Sequence, residues 1–139
     1  MFLLDTNVVS ELRKSRAGTA NPGVFEWAHG TPSALLFLSV VTVHEIEIGV
    51  QLAERSDPSK GTVLRAWLMN SVVPAFAERT VPIDVDVALR AASLHIPDPA
   101  PVRDAFIGAT ALVHGMTIVT RNVRDFQRFP GLAVLDPWT

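Results

Sequence analysis

The run Leu35-Leu36-Phe37-Leu38 is apolar at every position before Ser39, with no polar residue alternating through it. A strand with one wet face alternates polar and apolar residues, so an uninterrupted run is the pattern of a parallel strand covered on both faces. Shorter runs repeat the theme at Phe2-Leu3-Leu4, Met116-Thr117-Ile118-Val119 and Leu132-Ala133-Val134-Leu135. Thr80-Val81-Pro82-Ile83 is a weaker candidate because its proline removes a ladder donor. Between these runs the apolar spacing is helical. It predicts helices from Thr6 to Leu12, from Pro22 to His29-Gly30, from a Thr42 cap through Arg55, and from Gly61 to Val73 with Pro74 as the stop. Two more run from Val85 to His95 and from Val102 to His114, separated by a proline-rich loop, Ile96 to Pro101. Thr120 to Phe129 reads as a polar and aromatic connection. Strands alternating with helices specify an α/β chain with a parallel sheet covered by helices on both faces.

At 139 residues and 48% hydrophobic composition, residues 1–139 are expected to form one domain burying roughly 68% of the unfolded surface. The absence of cysteine excludes disulfides, thiolate metal sites and a cysteine nucleophile. The longest nearly apolar run, Ala34 to Val43, falls well short of the roughly 20 residues of a membrane span. Asp5 follows Met1-Phe2-Leu3-Leu4 with no basic segment, so no secretory leader and a cytoplasmic location are expected. A net charge of -2 and a pI near 6.0 argue against a uniformly basic, nucleic-acid-coating surface.

Ligand sites in open α/β sheets lie beyond the carboxyl ends of the strands, so acids there carry the most information. Asp5 follows the first strand; it either caps the next helix or, if Thr6 caps instead, is free for chemistry. Glu45 lies one turn into the helix after the second strand. Glu47 is about 200° around from it, and the apolar face of Val43, Ile46 and Val50 favours Glu45 as the inward acid. Asp104 opens a helix whose small residues, Ala105 to Ala111, imply close packing, and a helix N-terminus favours its charge in any case. Asp125 follows Thr120-Arg121-Asn122 beyond the strand ending at Val119. Taken singly, each acid has an ordinary role as a cap or a solvated side chain. Together, four carboxylates from four junctions fall at one sheet edge. Unit charges about 4 Å apart repel by roughly 4 kcal/mol at an effective dielectric near 20, so such a group calls for protonation or a cation. All-oxygen ligands select a hard cation, with Mg²⁺ and Mn²⁺ as the candidates, and the matching chemistry is metal-assisted phosphodiester hydrolysis. A phosphatase using Asp5 as nucleophile fits poorly, because Asn7 stands where a second acid is expected.

The strings Leu4-Asp5-Thr6-Asn7, Thr42-Val43-His44-Glu45-Ile46-Glu47-Ile48-Gly49, Arg103-Asp104-Ala105-Phe106-Ile107-Gly108-Ala109-Thr110-Ala111 and Thr120-Arg121-Asn122-Val123-Arg124-Asp125-Phe126 together resemble a PIN domain. They are most similar to the VapC-type toxins of bacterial toxin–antitoxin pairs, including the FitB-like branch. The resemblance implies a three-layer α/β/α fold with a central parallel sheet of about five strands. It also implies a Mg²⁺-dependent endoribonuclease. Asp5 and Asp104 would be the principal metal ligands, with Glu45 and Asp125 completing the acidic site. Thr120 and Asn122 match polar positions that would hold a metal-bound water or orient the acids, and Thr6 is assigned the same role. The implied partners are an RNA substrate, a second copy of the chain, and an antitoxin with a DNA-binding domain, giving a toxin–antitoxin hetero-oligomer. The competing reading is a binding module of the same fold that acts with the antitoxin on an operator without significant nuclease activity.

Six of the 12 basic residues, Arg13, Lys14, Arg16, Arg103, Arg121 and Arg124, lie near these strings in sequence, and a basic rim around an acidic centre would admit phosphates. Trp67, Leu68, Val72 and Val73 read as core packing, with an antitoxin groove as the second reading. His29, His95 and His114 sit at expected helix ends and are assigned no chemistry, while His44 is at most a modulator of Glu45.

Overall fold

The structure, a computed structural model, describes residues 1–139. Five strands form one sheet in the order β3-β2-β1-β4-β5, every pair parallel. These are β1 (Phe2–Leu4), β2 (Leu36–Ser39), β3 (Thr80–Val81), β4 (Thr117–Val119) and β5 (Val134–Leu135). Side chains alternate across the strands and divide the core in two. Leu3 and Ile118 pack against α6 (Val85–Ser93) and α7 (Val102–His114), in one cluster with Val87, Ala91 and Ile107. Leu4, Leu38 and Val119 pack on the other face, in one cluster with Val8, Val24, Ile46 and Val50. That layer is built from α1 (Thr6–Leu12), α2 (Pro22–His29), α3 (Val40–Ser56) and α4 (Pro58–Trp67). The result is the three-layer α/β/α arrangement with a parallel sheet.

Several boundaries differ from the sequence-based expectation, each for a local reason. Ser39, the last residue of β2, caps α3 by accepting the Val41 amide, so the helix starts at Val40. Thr42 is therefore not the cap; it lies inside the first turn, buried, with a hydroxyl that has no hydrogen-bond partner. Asp57 caps α4 and Pro58 occupies its first position, where a missing amide costs nothing. Pro74 does not stop that helix. The backbone widens into a π turn over Leu68–Val72, with the Val73 amide reaching back to the Leu68 carbonyl, and continues into α5 (Val73–Ala75). Within Thr120 to Phe129 a short helix, α8 (Val123–Gln127), forms around buried Phe126. β3 keeps only the two residues before Pro82.

α3 and α4 form a hairpin that closes on Gly61, which is buried against the backbone of Glu54. A Cβ at this position would lie 2.6 Å from the Glu54 nitrogen. Gly61→Ala is therefore expected to destabilise the chain by about 1–3 kcal/mol despite its better helix propensity. Urea unfolding tests this: a lower midpoint at unchanged slope is expected, and an unchanged midpoint would contradict the close packing.

Candidate active site

The parallel register brings the carboxyl ends of β1, β2 and β4 to one edge. Asp5 leaves β1 there, its amide donating to the Val119 carbonyl at 2.9 Å, which fixes it beside the end of β4. Its carboxylate does two jobs at once. Oδ1 accepts the Thr6 amide at 2.8 Å, capping α1, while Oδ2 accepts the Thr120 hydroxyl at 2.8 Å and the Asn7 side-chain amide at 3.4 Å. Thr6 is thus not the cap. Its hydroxyl instead donates to Glu45 Oε2 at 3.1 Å, orienting that acid from across the β1–β2 boundary.

Glu45 and Glu47 divide as the helical geometry requires. Glu47 accepts from Arg65 on α4 at 2.6 Å and from Gln51 at 3.0 Å, bonds that hold its carboxyl below the usual range. Glu45 makes no ion pair; burial pushes its carboxyl up, against the Thr6 hydrogen bond, and the charge of Asp5 adds to the rise. Asp104 lies in the first turn of α7, half-buried, without any hydrogen bond to its carboxylate. Burial first, then the charges of Asp125, Asp5 and Glu45, raise it from 3.8 to about 6. Asp5 is raised too, by burial above all and by Asp125, with the Thr120 and Thr6 hydrogen bonds opposing. Asp125 stands exposed in the first turn of α8 and acts on both other aspartates through its charge.

The four acids are thus electrostatically one group, although no three of them converge closely enough to hold an ion by themselves. They border an open edge rather than closing a cage. A hard cation that keeps several waters and takes only one or two carboxylates matches such a donor set, and Mg²⁺ or Mn²⁺ fits it.

The polar positions separate. Thr120 is fully buried, accepts the Asn122 amide at 2.9 Å and donates to Asp5. Asn122 contributes this backbone amide, and its side chain makes no hydrogen bond. Asn7 went unrecognised as a site residue; its side chain contacts Asp5, Thr120 and the Arg121 amide. Its signals in the sequence are its place in the Leu4-Asp5-Thr6-Asn7 string and its position two residues after Asp5.

The basic rim is smaller than the sequence suggests. Arg103 acts on Glu45 and Asp104. Arg13 and Arg16 instead line a separate cavity of about 660 Å³ with Trp67 and His29, which none of the four acids borders. Lys14 pairs with Glu11 at 3.2 Å, and the Arg121 guanidinium sits 5.5 Å from the Trp138 ring centroid.

The raised acids have a consequence for stability. A folded carboxyl that holds its proton more tightly than the unfolded chain stabilises fully below the unfolded value and loses that contribution as pH rises through the folded value. For Asp104 that window runs from 3.8 to about 6, and Asp5 and Glu45 act in the same direction. In chelator, Asp104→Asn is therefore expected to be more stable than the parent at pH 7, with the difference vanishing near pH 4. Unfolding curves across this range check it, and a constant difference would contradict the coupling.

The PIN domain family model matches residues 2–132, a span that contains all four acids. VapC ribonuclease Y4jK of Sinorhizobium fredii is 34% identical over 99% of this chain and 98% of its own. Toxin FitB of Neisseria gonorrhoeae is 34% identical over 99% of both chains. Among solved structures, one described as FitAB bound to an IR36 DNA fragment superposes with a TM-score of 0.86 at 33% identity, covering 100% of this chain and 96% of that one. The all-parallel sheet, the acids at its carboxyl edge and the match along nearly the whole length agree: the chain belongs to the PIN domain family.

Proposed function

We propose that this chain is a divalent-metal-dependent endoribonuclease and the toxin of a toxin–antitoxin pair. The observation that carries the reading is the electrostatic coupling of Asp5, Glu45, Asp104 and Asp125, delivered from four separate elements to one open sheet edge. A strand edge that raises its own carboxyls has a use for a cation. The names of the similar proteins, a VapC ribonuclease and the toxin FitB, support the assignment of that site to RNA.

In this reading Asp5 and Asp104 would hold Mg²⁺, with Glu45 and Asp125 completing the negative field. When bound, the cation supplies positive charge to the phosphoryl oxygens and makes water a stronger acid. The chain does the rest by position. Thr120 and the Thr6 amide fix the Asp5 carboxylate, and the Thr6 hydroxyl fixes Glu45. Arg103 offers a cation to the RNA backbone beside two of the acids. Hydrolysis then adds water across the phosphodiester, breaking one P–O bond.

The proposed partners are an antitoxin with a DNA-binding domain, a second copy of the chain and the RNA itself. No helix is long and apolar enough to cross a membrane, and the proposed location is the cytoplasm. Residues 1–139 are proposed to act as one domain. A second reading, an operator-binding assembly without significant nuclease activity, draws its support from the DNA in the FitAB structure.

Incubation of a total-RNA pool with the purified chain in Mg²⁺, Mn²⁺ or chelator, with cut sites mapped by end sequencing, separates the readings. Discrete cuts are expected with either metal, lost in chelator and reduced to background in Asp104→Asn. Cuts that persist in that variant, from a preparation free of contaminating nuclease, overturn the proposed site. Absence of cuts together with an antitoxin-dependent operator shift favours the second reading.

A further inference from the structure

The two turns that deliver Asp5 and Asp125 are joined by one side chain. Asn7, half-buried in the first turn of α1, donates from Nδ2 to Asp5 Oδ2 at 3.4 Å and to Thr120 Oγ1 at 3.3 Å, while its Oδ1 accepts the Arg121 amide at 3.3 Å. Arg121 begins the turn out of β4. From there the connection runs through the Asn122 amide on Thr120 Oγ1, at 2.9 Å, to the Asp125 amide on the Asn122 carbonyl, at 3.1 Å. An amide side chain suits this place because it offers a donor and an acceptor on one rigid plane, whereas a hydroxyl is shorter and a carboxylate cannot donate.

α8 has only five residues; it packs on β5 and α7 through buried Phe126, and Asp125 lies on its exposed side. The start of that helix, and with it Asp125, is set by the turn whose amides Asn7 and Thr120 hold. We propose that Asn7 is a positioning residue: it ties the β4–α8 turn to the β1–α1 turn and so sets the placement of Asp125 relative to Asp5. The inference rests on the proposed metal-dependent reading of the site, and it goes beyond that reading by assigning a role to a residue outside the acid set.

A double-mutant cycle between Asn7 and Asp125, read by calorimetric Mn²⁺ binding, tests the proposal without requiring RNA cleavage. Asn7→Ala is expected to weaken Mn²⁺ binding about 10- to 100-fold, the usual cost of losing a residue that orients a ligand. In an Asp125→Ala background the same change is expected to cost severalfold less, the remainder being the loss of the bonds from Asn7 to Asp5 and Thr120. Amide exchange at Arg121 should accelerate in Asn7→Ala while exchange in the core strands stays unchanged. Where RNA cleavage is measurable, kcat should fall with KM nearly unchanged. Asn7→Ser, which cannot span both turns, should behave alike and guards against a folding failure of the alanine variant.

Equal losses in both backgrounds would overturn the proposal, as would unchanged Mn²⁺ affinity in either folded Asn7 variant. If the parent binds no Mn²⁺, the metal reading itself fails. Faster Arg121 exchange in that case would still show the tie between the turns.

Discussion

Everything at the candidate site depends on β1 pairing in parallel with both β2 and β4. Three residues of strand suffice because Leu3 and Leu4 are fully buried on opposite faces and lock the register from both sides. A slip of one residue would exchange the two core layers and turn the chain ends away from each other. With the register fixed, the chain must leave β1, β2 and β4 at the same edge. Asp5, the first turn of α3 and the turn carrying Thr120 then become neighbours, although they are up to 115 residues apart in sequence.

The same geometry creates an electrostatic problem. Burial and mutual repulsion raise Asp5, Glu45 and Asp104 together, and the fold offsets only part of this, through the hydroxyls of Thr6 and Thr120, the Thr6 amide and the charge of Arg103. None of the three is neutralised by an ion pair, whereas Glu47, two residues from Glu45, is bound by Arg65. The chain thus closes an ion pair on the acid that faces α4 and closes none on the acids at the sheet edge, where Arg103 acts only through its charge. This contrast between neighbouring glutamates supports the proposed cation site more directly than the number of acids does.

The architecture was legible in the sequence because apolar runs without alternation admit few arrangements, and the helix from Val102 to His114 with its Gly115 end is read directly from its pattern. The division of Glu45 from Glu47 follows from the helical angle together with the apolar face of Val43, Ile46 and Val50. What the sequence hid were features decided by long-range contacts. Ser39 rather than Thr42 caps α3 because the strand ends there, and strand ends are set by pairing. The π turn that carries the chain past Pro74 has no local signature. Arg13 and Arg16, close to Asp5 in sequence, are carried along α1 to a different cavity. Asn7 was invisible as a tie because its partners, Thr120 and Arg121, lie more than a hundred residues away.

Linkage tests, without any assumption about substrate, whether these four carboxylates form one site completed by a divalent cation. A ligand bound only by the folded state stabilises it by about 2.7 kcal/mol at 100 times its dissociation constant. Chemical unfolding at pH 7 in chelator and in saturating Mn²⁺ should differ by about this amount for the parent chain and by far less for Asp104→Asn. An unchanged unfolding free energy in Mn²⁺ would mean that the acids share an edge without forming a site.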